Sequence, residues 1–267
     1  MKTQILKALC FPVIFLFLSC STSISQNNKQ LFVCAPCGGS CDKMTFEKAG
    51  NCPHCGMKLI DKNSSEAKET TNETEIKICF YLQDNVEVLD FAGPLEIFRV
   101  AGFDVFTVSK TKGPIKSQGM LTITPDYSIT DAPSADMMVF FGGAHGGPSK
   151  DAELISWIKS RKDKTTYFMS VCTGAFIMGS AGILDNKTAT TYHTQIEALQ
   201  QALPKTKVIK DIRFVDNGNV ISTAGISAGM DGALHFVSKI KGIEFAKQVA
   251  LDIEYDKWLP EQGLIIK

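Results

Sequence analysis

The stretch Thr166-Tyr167-Phe168-Met169-Ser170-Val171-Cys172-Thr173-Gly174-Ala175-Phe176-Ile177-Met178-Gly179-Ser180-Ala181 decides how the rest of the chain is read. Thr166 to Val171 is rich in strand-forming residues, and Thr173 to Ala181 is apolar nearly all round, as a buried helix would be. The pattern predicts a strand running directly into Cys172 and a helix leaving it. Such a turn exposes its side chain at the carboxyl edge of a parallel sheet, where open α/β proteins place their sites. A helix N-terminus behind the thiol favours negative charge, so a lowered Cys172 pKa is expected. Nearby backbone N–H groups could hold an oxyanion. One cysteine in an apolar segment is ordinarily structural; its place at a strand-to-helix switch between small residues argues for chemistry.

Outward from this elbow, short apolar runs alternate with helical periodicity. Ile76 to Leu82, Asp104 to Ser109 and Met137 to Phe141 read as strands. Val86 to Ala101 and Ala152 to Ser160 read as helices. Arg213 to Val215 and Val220 to Thr223 read as a hairpin around Asp216-Asn217-Gly218-Asn219. Two helices follow, Ala228 to Ile240 and Ile243 to Tyr255, and His235 stands four residues after Asp231 as a local helical pair would. Strands alternating with helices imply an α/β domain with a mainly parallel sheet sandwiched by helices.

Ser170-Val171-Cys172-Thr173-Gly174-Ala175, Gly179-Ser180-Ala181-Gly182-Ile183-Leu184 and Ala189-Thr190-Thr191 together resemble the ThiJ/PfpI superfamily, also called class I glutamine-amidotransferase-like. Leu89-Asp90-Phe91-Ala92-Gly93-Pro94, Phe141-Gly142-Gly143, Asn217-Gly218-Asn219, Gly225-Ile226-Ser227-Ala228-Gly229 and Glu254-Tyr255-Asp256 extend the likeness across Ile76 to Trp258. The branch it most resembles is that of the isonitrile hydratases and of the amidotransferase-like domains joined to AraC-type regulators. The resemblance implies a flavodoxin-like fold, a Cys172 nucleophile, and Asp90 as the carboxylate set against it. It implies a homodimer and a hydrogen bond from Thr173. Gly142 and Gly143 would bring backbone donors near the substrate or oxyanion, although a glycine pair also simply permits a turn; His145 beside them could face the pocket or stay solvated, and His193 is a further candidate contact. Read from the residues alone, Asp90 could equally cap a helix whose first turn holds Pro94. Thr173 replaces the histidine that proteolytic relatives carry after the cysteine, and Thr190-Thr191-Tyr192-His193 replaces Thr-Thr-His-Trp of the hydratase branch. With no helix-turn-helix pattern after Trp258, a transcription factor is not expected.

The first 75 residues have a different character. Five of the nine cysteines, Cys34, Cys37, Cys41, Cys52 and Cys55, fall within 22 residues. Cys34-x-x-Cys37 and Cys52-x-x-Cys55 can place four thiolates around zinc, giving a zinc-ribbon-like module over residues 31–60. Cys52-Pro53-His54-Cys55-Gly56-Met57 resembles small heavy-metal-binding modules, and the softer donors Cys41, Met44, His54 and Met57 would suit copper. A disulfide-stapled module is the competing reading for an exported protein. Residues 61–75 read as a flexible linker, 76–258 as the main domain and 259–267 as a tail. No cofactor is expected in the main domain.

Formal net charge is zero, so nothing recommends a nucleic-acid partner. Three functions stay open: an enzyme attacking a small electrophilic substrate as a hydratase or hydrolase, an envelope sensor of redox state or a small ligand, and a metal-handling protein. Lys2 and Lys7 precede an apolar run, Ala8 to Leu18, that is short for a bilayer span and contains Pro12. The run stops at Ser19-Cys20. Residues 1–19 therefore read as a lipoprotein signal and 20–30 as a tether, with the chain lipid-anchored in a bacterial envelope through Cys20. Intact mass of membrane-extracted protein should show a diacylglyceryl group on an N-terminal Cys20. A water-soluble mature form beginning at Ser21 or later would sink that reading.

Overall fold

A computed structural model describes residues 30–34, 41, 44–54, 56–64, 76–143, 147–255 and 258–266. Cys20, Cys37, Cys55 and His145 lie outside them. The first elements among the described residues form a small antiparallel sheet of β1 (Phe32–Cys34), β2 (Thr45–Phe46) and β3 (Leu59–Asp61), in the order β2-β1-β3. Three short strands supply little apolar surface, and the cysteines described below stand in for a core.

Then come β4 (Lys77–Tyr81), α1 (Val88–Val100), β5 (Asp104–Ser109), the hairpin β6 (Ile115–Ser117) and β7 (Leu121–Ile123), β8 (Tyr127–Ser128) and β9 (Met137–Phe140). The second half holds α2 (Ala152–Arg161), β10 (Tyr167–Ser170), α3 (Gly174–Ser180), β11 (Thr188–Ala189), α4 (Ile196–Ala202) and β12 (Lys207–Val208). It ends with β13 (Phe214–Asp216), β14 (Val220–Thr223), α5 (Ala228–Lys241), α6 (Ile243–Asp252) and β15 (Gly263–Ile265). The main sheet has eight strands in the order β15-β13-β14-β10-β9-β4-β5-β8. Every pairing is parallel except β13 with β14.

The period-two alternation of strands sorts the core onto two faces. Ile78 and Phe80 of β4, with Met137 and Val139 of β9, meet Phe98 of α1, Phe236 of α5 and Val249 of α6. Cys79 and Tyr81, with Met138 and Phe140, meet Leu154 of α2, Met178 of α3 and Leu199 of α4. The expected sandwich of helices about a mainly parallel sheet is what the chain forms.

Three local expectations need correcting. Residues 259–267 are not simply a tail, because β15 adds a parallel edge strand to β13 with Phe214 opposite Gly263. His235 does not pair with Asp231; its Nε2 lies 2.8 Å from Asp216 on β13, while Asp231 pairs with Arg213. Pro94 is not in a first turn but inside α1, whose N-cap is Glu87. No helix among the described residues is long and apolar enough to cross a membrane.

Candidate functional site

The elbow forms where β10 ends. Cys172 sits at φ +58°, a left-handed conformation that costs a residue with a Cβ about 1–3 kcal/mol. Neighbouring strands hold it there. The Val171 N–H donates to Phe140 O at 2.9 Å, and the Cys172 N–H to Ala224 O at 3.1 Å. The Thr191 hydroxyl donates to Cys172 O at 2.7 Å. The chain then passes so close to β9 that a Cβ on Gly174 would stand 2.2 Å from Phe140 O, so only glycine fits there.

Asp90 comes from the first turn of α1 and has no solvent contact. Gly142 donates its N–H to Oδ2 at 2.9 Å, and Ile226 donates its N–H to Oδ1 at 2.8 Å. Both donors come from outside α1, whose N-cap is Glu87, which removes the helix-cap reading; the carboxyl is also hydrogen-bonded to the Cys172 thiol. Gly142 separates the two groups so narrowly that a Cβ there would be 2.7 Å from Asp90 Oδ2 and 2.8 Å from Cys172 Sγ.

Burial pushes the Asp90 carboxyl up to about 6, against the two backbone donors and the thiol, with the nearby Glu87 charge adding to the rise. Burial also pushes the Cys172 thiol up to about 12, assisted by the Asp90 charge and opposed by hydrogen bonds from the Thr173 N–H and side chain. The expected lowering by the helix N-terminus is therefore overturned. Cys172 is only 6% exposed, and the seven-residue α3 does not offset the lost hydration beside a carboxylate. Together the two groups can hold one proton and pass it between them.

Above the thiol opens a cavity of 620 Å³. Besides Cys172 it is lined by Glu87, Gly143, Ser149, Lys150, Thr173, Phe176, Tyr192, Thr194, Gln195, Ala198 and Ile226. Gly143 sits at φ +93°, and a Cβ there would stand 2.2 Å from Asn85 O. His193 does not line this cavity. It faces a separate pocket of 580 Å³ with Lys210 and Arg213, because its backbone turns into a short 3-10 helix just after the extended Tyr192. Tyr192 is the ring beside the thiol: a Cβ on Gly225 would meet it at 2.5 Å and Cys172 Sγ at 3.1 Å.

Sequence reasoning missed Tyr192, Ile226, Glu87 and Lys150 as site residues. For Ile226 the only signal was its place between Gly225 and Ser227, since a backbone N–H donor leaves no trace in residue type.

In the N-terminal module the buried thiols of Cys34, Cys41 and Cys52 lie within 4.8 Å of one another and could hold a metal ion. The Gly56 N–H donates to Cys52 O at 2.8 Å and the Cys52 N–H to Met57 O at 2.7 Å, forming a knuckle with Gly56 at φ +75°. Cys41, outside both Cys-x-x-Cys pairs, is thus brought among the predicted ligands. Three convergent thiolates suit a soft or borderline ion held for structure.

Residues 76–240 match the model of the DJ-1/PfpI family. An isonitrile hydratase of Pseudomonas putida is 33% identical over 185 residues, which is 67% of this chain and 78% of that protein. The HTH-type transcriptional regulator GbdR of Pseudomonas aeruginosa is 25% identical, and the match spans 72% of this chain but only 54% of the regulator. Among solved structures, a THiJ/PfpI family protein from Pseudomonas syringae superposes with a TM-score of 0.64 at 27% identity, over 71% of this chain and 81% of that one. Drosophila melanogaster DJ-1beta superposes at 0.60 with 20% identity, over 68% of this chain and 98% of its own, a likeness of fold.

Two measurements follow. An acid whose folded pKa is raised stabilises the fold when protonated, so the Asp90 contribution is full below 3.8 and lost as pH rises through about 6. The stability of wild type relative to Asp90→Asn should therefore fall by about 3 kcal/mol between pH 3 and pH 7. A flat difference would show that Asp90 is not a raised carboxyl. For the module, elemental analysis should find about one zinc or copper per chain. Cys41→Ser should lower that content, and Cys34→Ser with Cys52→Ser should abolish it. Metal-free protein carrying two intact disulfides would establish the staple instead.

Proposed function

This chain belongs to the DJ-1/PfpI family, and from that premise we propose that it is a cysteine-nucleophile enzyme that hydrates isonitriles to N-substituted formamides. The observation that carries the reading is the hydrogen-bonded pair of Cys172 and buried Asp90 below the cavity. An isonitrile carbon must receive a nucleophile and a proton on the same atom. A thiol beside an acid of pKa about 6 supplies both, close to the pH at which proton transfer is most effective.

In the proposed reaction Asp90 takes the thiol proton as sulfur bonds to the terminal carbon, then returns it to that carbon. The product of this half is an S-linked thioimidate. Water adds to the same carbon with Asp90 as base, the nitrogen gains a proton, and the carbon–sulfur bond breaks. Formamide leaves, the thiol regains its proton, and the net change is one water added. Thr173 steadies the sulfur through its N–H and side chain. The Gly143 backbone, held in its left-handed turn, borders the reacting carbon. Phe176, Tyr192 and Ala198 would take the apolar substituent on nitrogen.

A second reading has its own observation. A thiol held protonated and nearly out of solvent suits a pocket that binds a ligand without turnover, and the similarity to part of a transcriptional regulator accords with it. In either reading we place the protein in the bacterial envelope through Cys20, with residues 31–60 as a metal-stabilised module that takes no part in the hydration.

Steady-state assays on an alkyl isonitrile separate the two. Cys172→Ser should lose essentially all turnover, and Asp90→Asn about a hundredfold or more in kcat, with unchanged circular dichroism. Normal turnover by Cys172→Ser eliminates the nucleophile. A cavity that binds isonitriles or amides without converting them selects the ligand-binding reading.

A further inference from the structure

Ile226 is an unusual residue to find at φ +57°. Left-handed backbone is a genuine outlier for a β-branched side chain. The conformation nevertheless aims the Ile226 N–H at Asp90 Oδ1, 2.8 Å away. Local backbone bonds close the turn, Ala228 N–H to Gly225 O at 3.2 Å and Gly229 N–H to Ile226 O at 3.1 Å, yet they leave the start of the turn tied to the rest of the fold through few side chains.

The side-chain hold comes from Arg213, just before β13. Its guanidinium donates to Ser227 Oγ at 3.1 Å through one terminal nitrogen, and to Asp231 Oδ2 at 2.5 Å through Nε. Asp231 is buried and also accepts the Tyr255 hydroxyl at 3.1 Å. The Arg213 backbone is fixed in turn: its N–H donates to Gln262 O at 3.1 Å, and its carbonyl accepts the Ala224 N–H at 2.9 Å. Ser227 stands at the N-cap of α5, yet its side chain caps no helical N–H; its oxygen is the acceptor for the guanidinium.

We infer that Arg213, by bridging Ser227 and Asp231, is a positioning residue that keeps Ile226 left-handed and so keeps its N–H on Asp90. Arg213 reaches the thiol only through that chain of contacts. The inference rests on Asp90 and Cys172 as the working pair, not on isonitrile as substrate. The titratable groups acting on Asp90 are Cys172 from the elbow and Glu87 from the start of its own helix. On the α5 side, Arg213, Asp231 and Tyr255 are bound to one another.

The test is the pH dependence of Cys172 alkylation by iodoacetamide in the full chain, followed by mass spectrometry of the Cys172 peptide. Losing a well-aimed donor to a carboxylate raises its pKa, so Ser227→Ala and Arg213→Ala should each move the acid midpoint up by about one pH unit. Glycine adopts positive φ without strain, so Ile226→Gly added to either variant should return most of that shift. Should Arg213→Ala fail to fold with Asp231 left unpaired, Ser227→Ala and Ser227→Ala/Ile226→Gly decide the matter, since they keep the buried ion pair. An unmoved midpoint in Ser227→Ala overturns the inference, as does a shift that Ile226→Gly does not reverse. Absence of isonitrile turnover in the wild type, with these shifts intact, would sink the proposed reaction and leave the positioning role standing.

Discussion

A carboxyl group without solvent contact is the constraint around which the main domain is arranged. Asp90 joins α1 to the loop after β9 and to the loop before α5, and those donors are 52 and 136 residues away in sequence. A buried carboxyl lacking donors would cost several kcal/mol, so both N–H groups have to arrive together. Their arrival fixes residue types elsewhere. Gly142 must lack a Cβ because Asp90 and the thiol close on it from two sides. Gly174 must lack one because the helix leaving the elbow presses on Phe140 O. The left-handed backbones of Cys172 and Ile226 are the remaining local cost of bringing acid, thiol and donors together.

The same burial governs the chemistry. Each group is held up by lost hydration; the Asp90 charge raises the thiol further while the thiol's hydrogen bond lowers the carboxyl, so the proton belongs to the pair. A resting thiol beside a carboxylate can become a thiolate beside a carboxylic acid without any proton leaving the site. That exchange keeps an intrinsically strong nucleophile quiet until an electrophile enters the cavity. The helix-terminus argument fails here because it counts an attraction to the first few N–H groups and leaves out desolvation, which is larger.

Much of this was legible in the sequence. The strand-to-helix elbow at Cys172 follows from an apolar run meeting small residues, and the alternation along β4 and β9 gives the two-faced sheet. Asp90 and Gly142 were reached through motif resemblance, which carries three-dimensional information that spacing alone does not. What stayed hidden was long-range or backbone-borne. His193 and Tyr192 are neighbours with opposite facings, and one backbone turn decides which meets the thiol. Cys41 fell outside both Cys-x-x-Cys pairs because convergence of thiols depends on the path of the intervening chain. The edge strand β15 was invisible as well, since three residues beside a helical segment show no usable period.

The partners of α5 show why local pairing rules misassigned His235. Helix spacing allows Asp231 and His235 to face each other, yet each takes a partner from the β13 region. Asp216 receives His235 and Lys239 at 2.8 Å each, and the His235 ring stacks on Phe214 with centroids 4.4 Å apart. Burial would raise the Asp216 pKa, but those two bonds outweigh it and hold the carboxyl low. Arg213 and Asp231 make the matching tie near the start of the helix. Apolar contacts such as those of Phe236 and Val237 favour burial without direction, so they alone would let the helix slide along the sheet. Charged bonds at both ends fix its position along the sheet, and with it the loop that delivers Ile226 to Asp90. The strain at the site is thus maintained by polar contacts that touch neither the thiol nor the cavity above it.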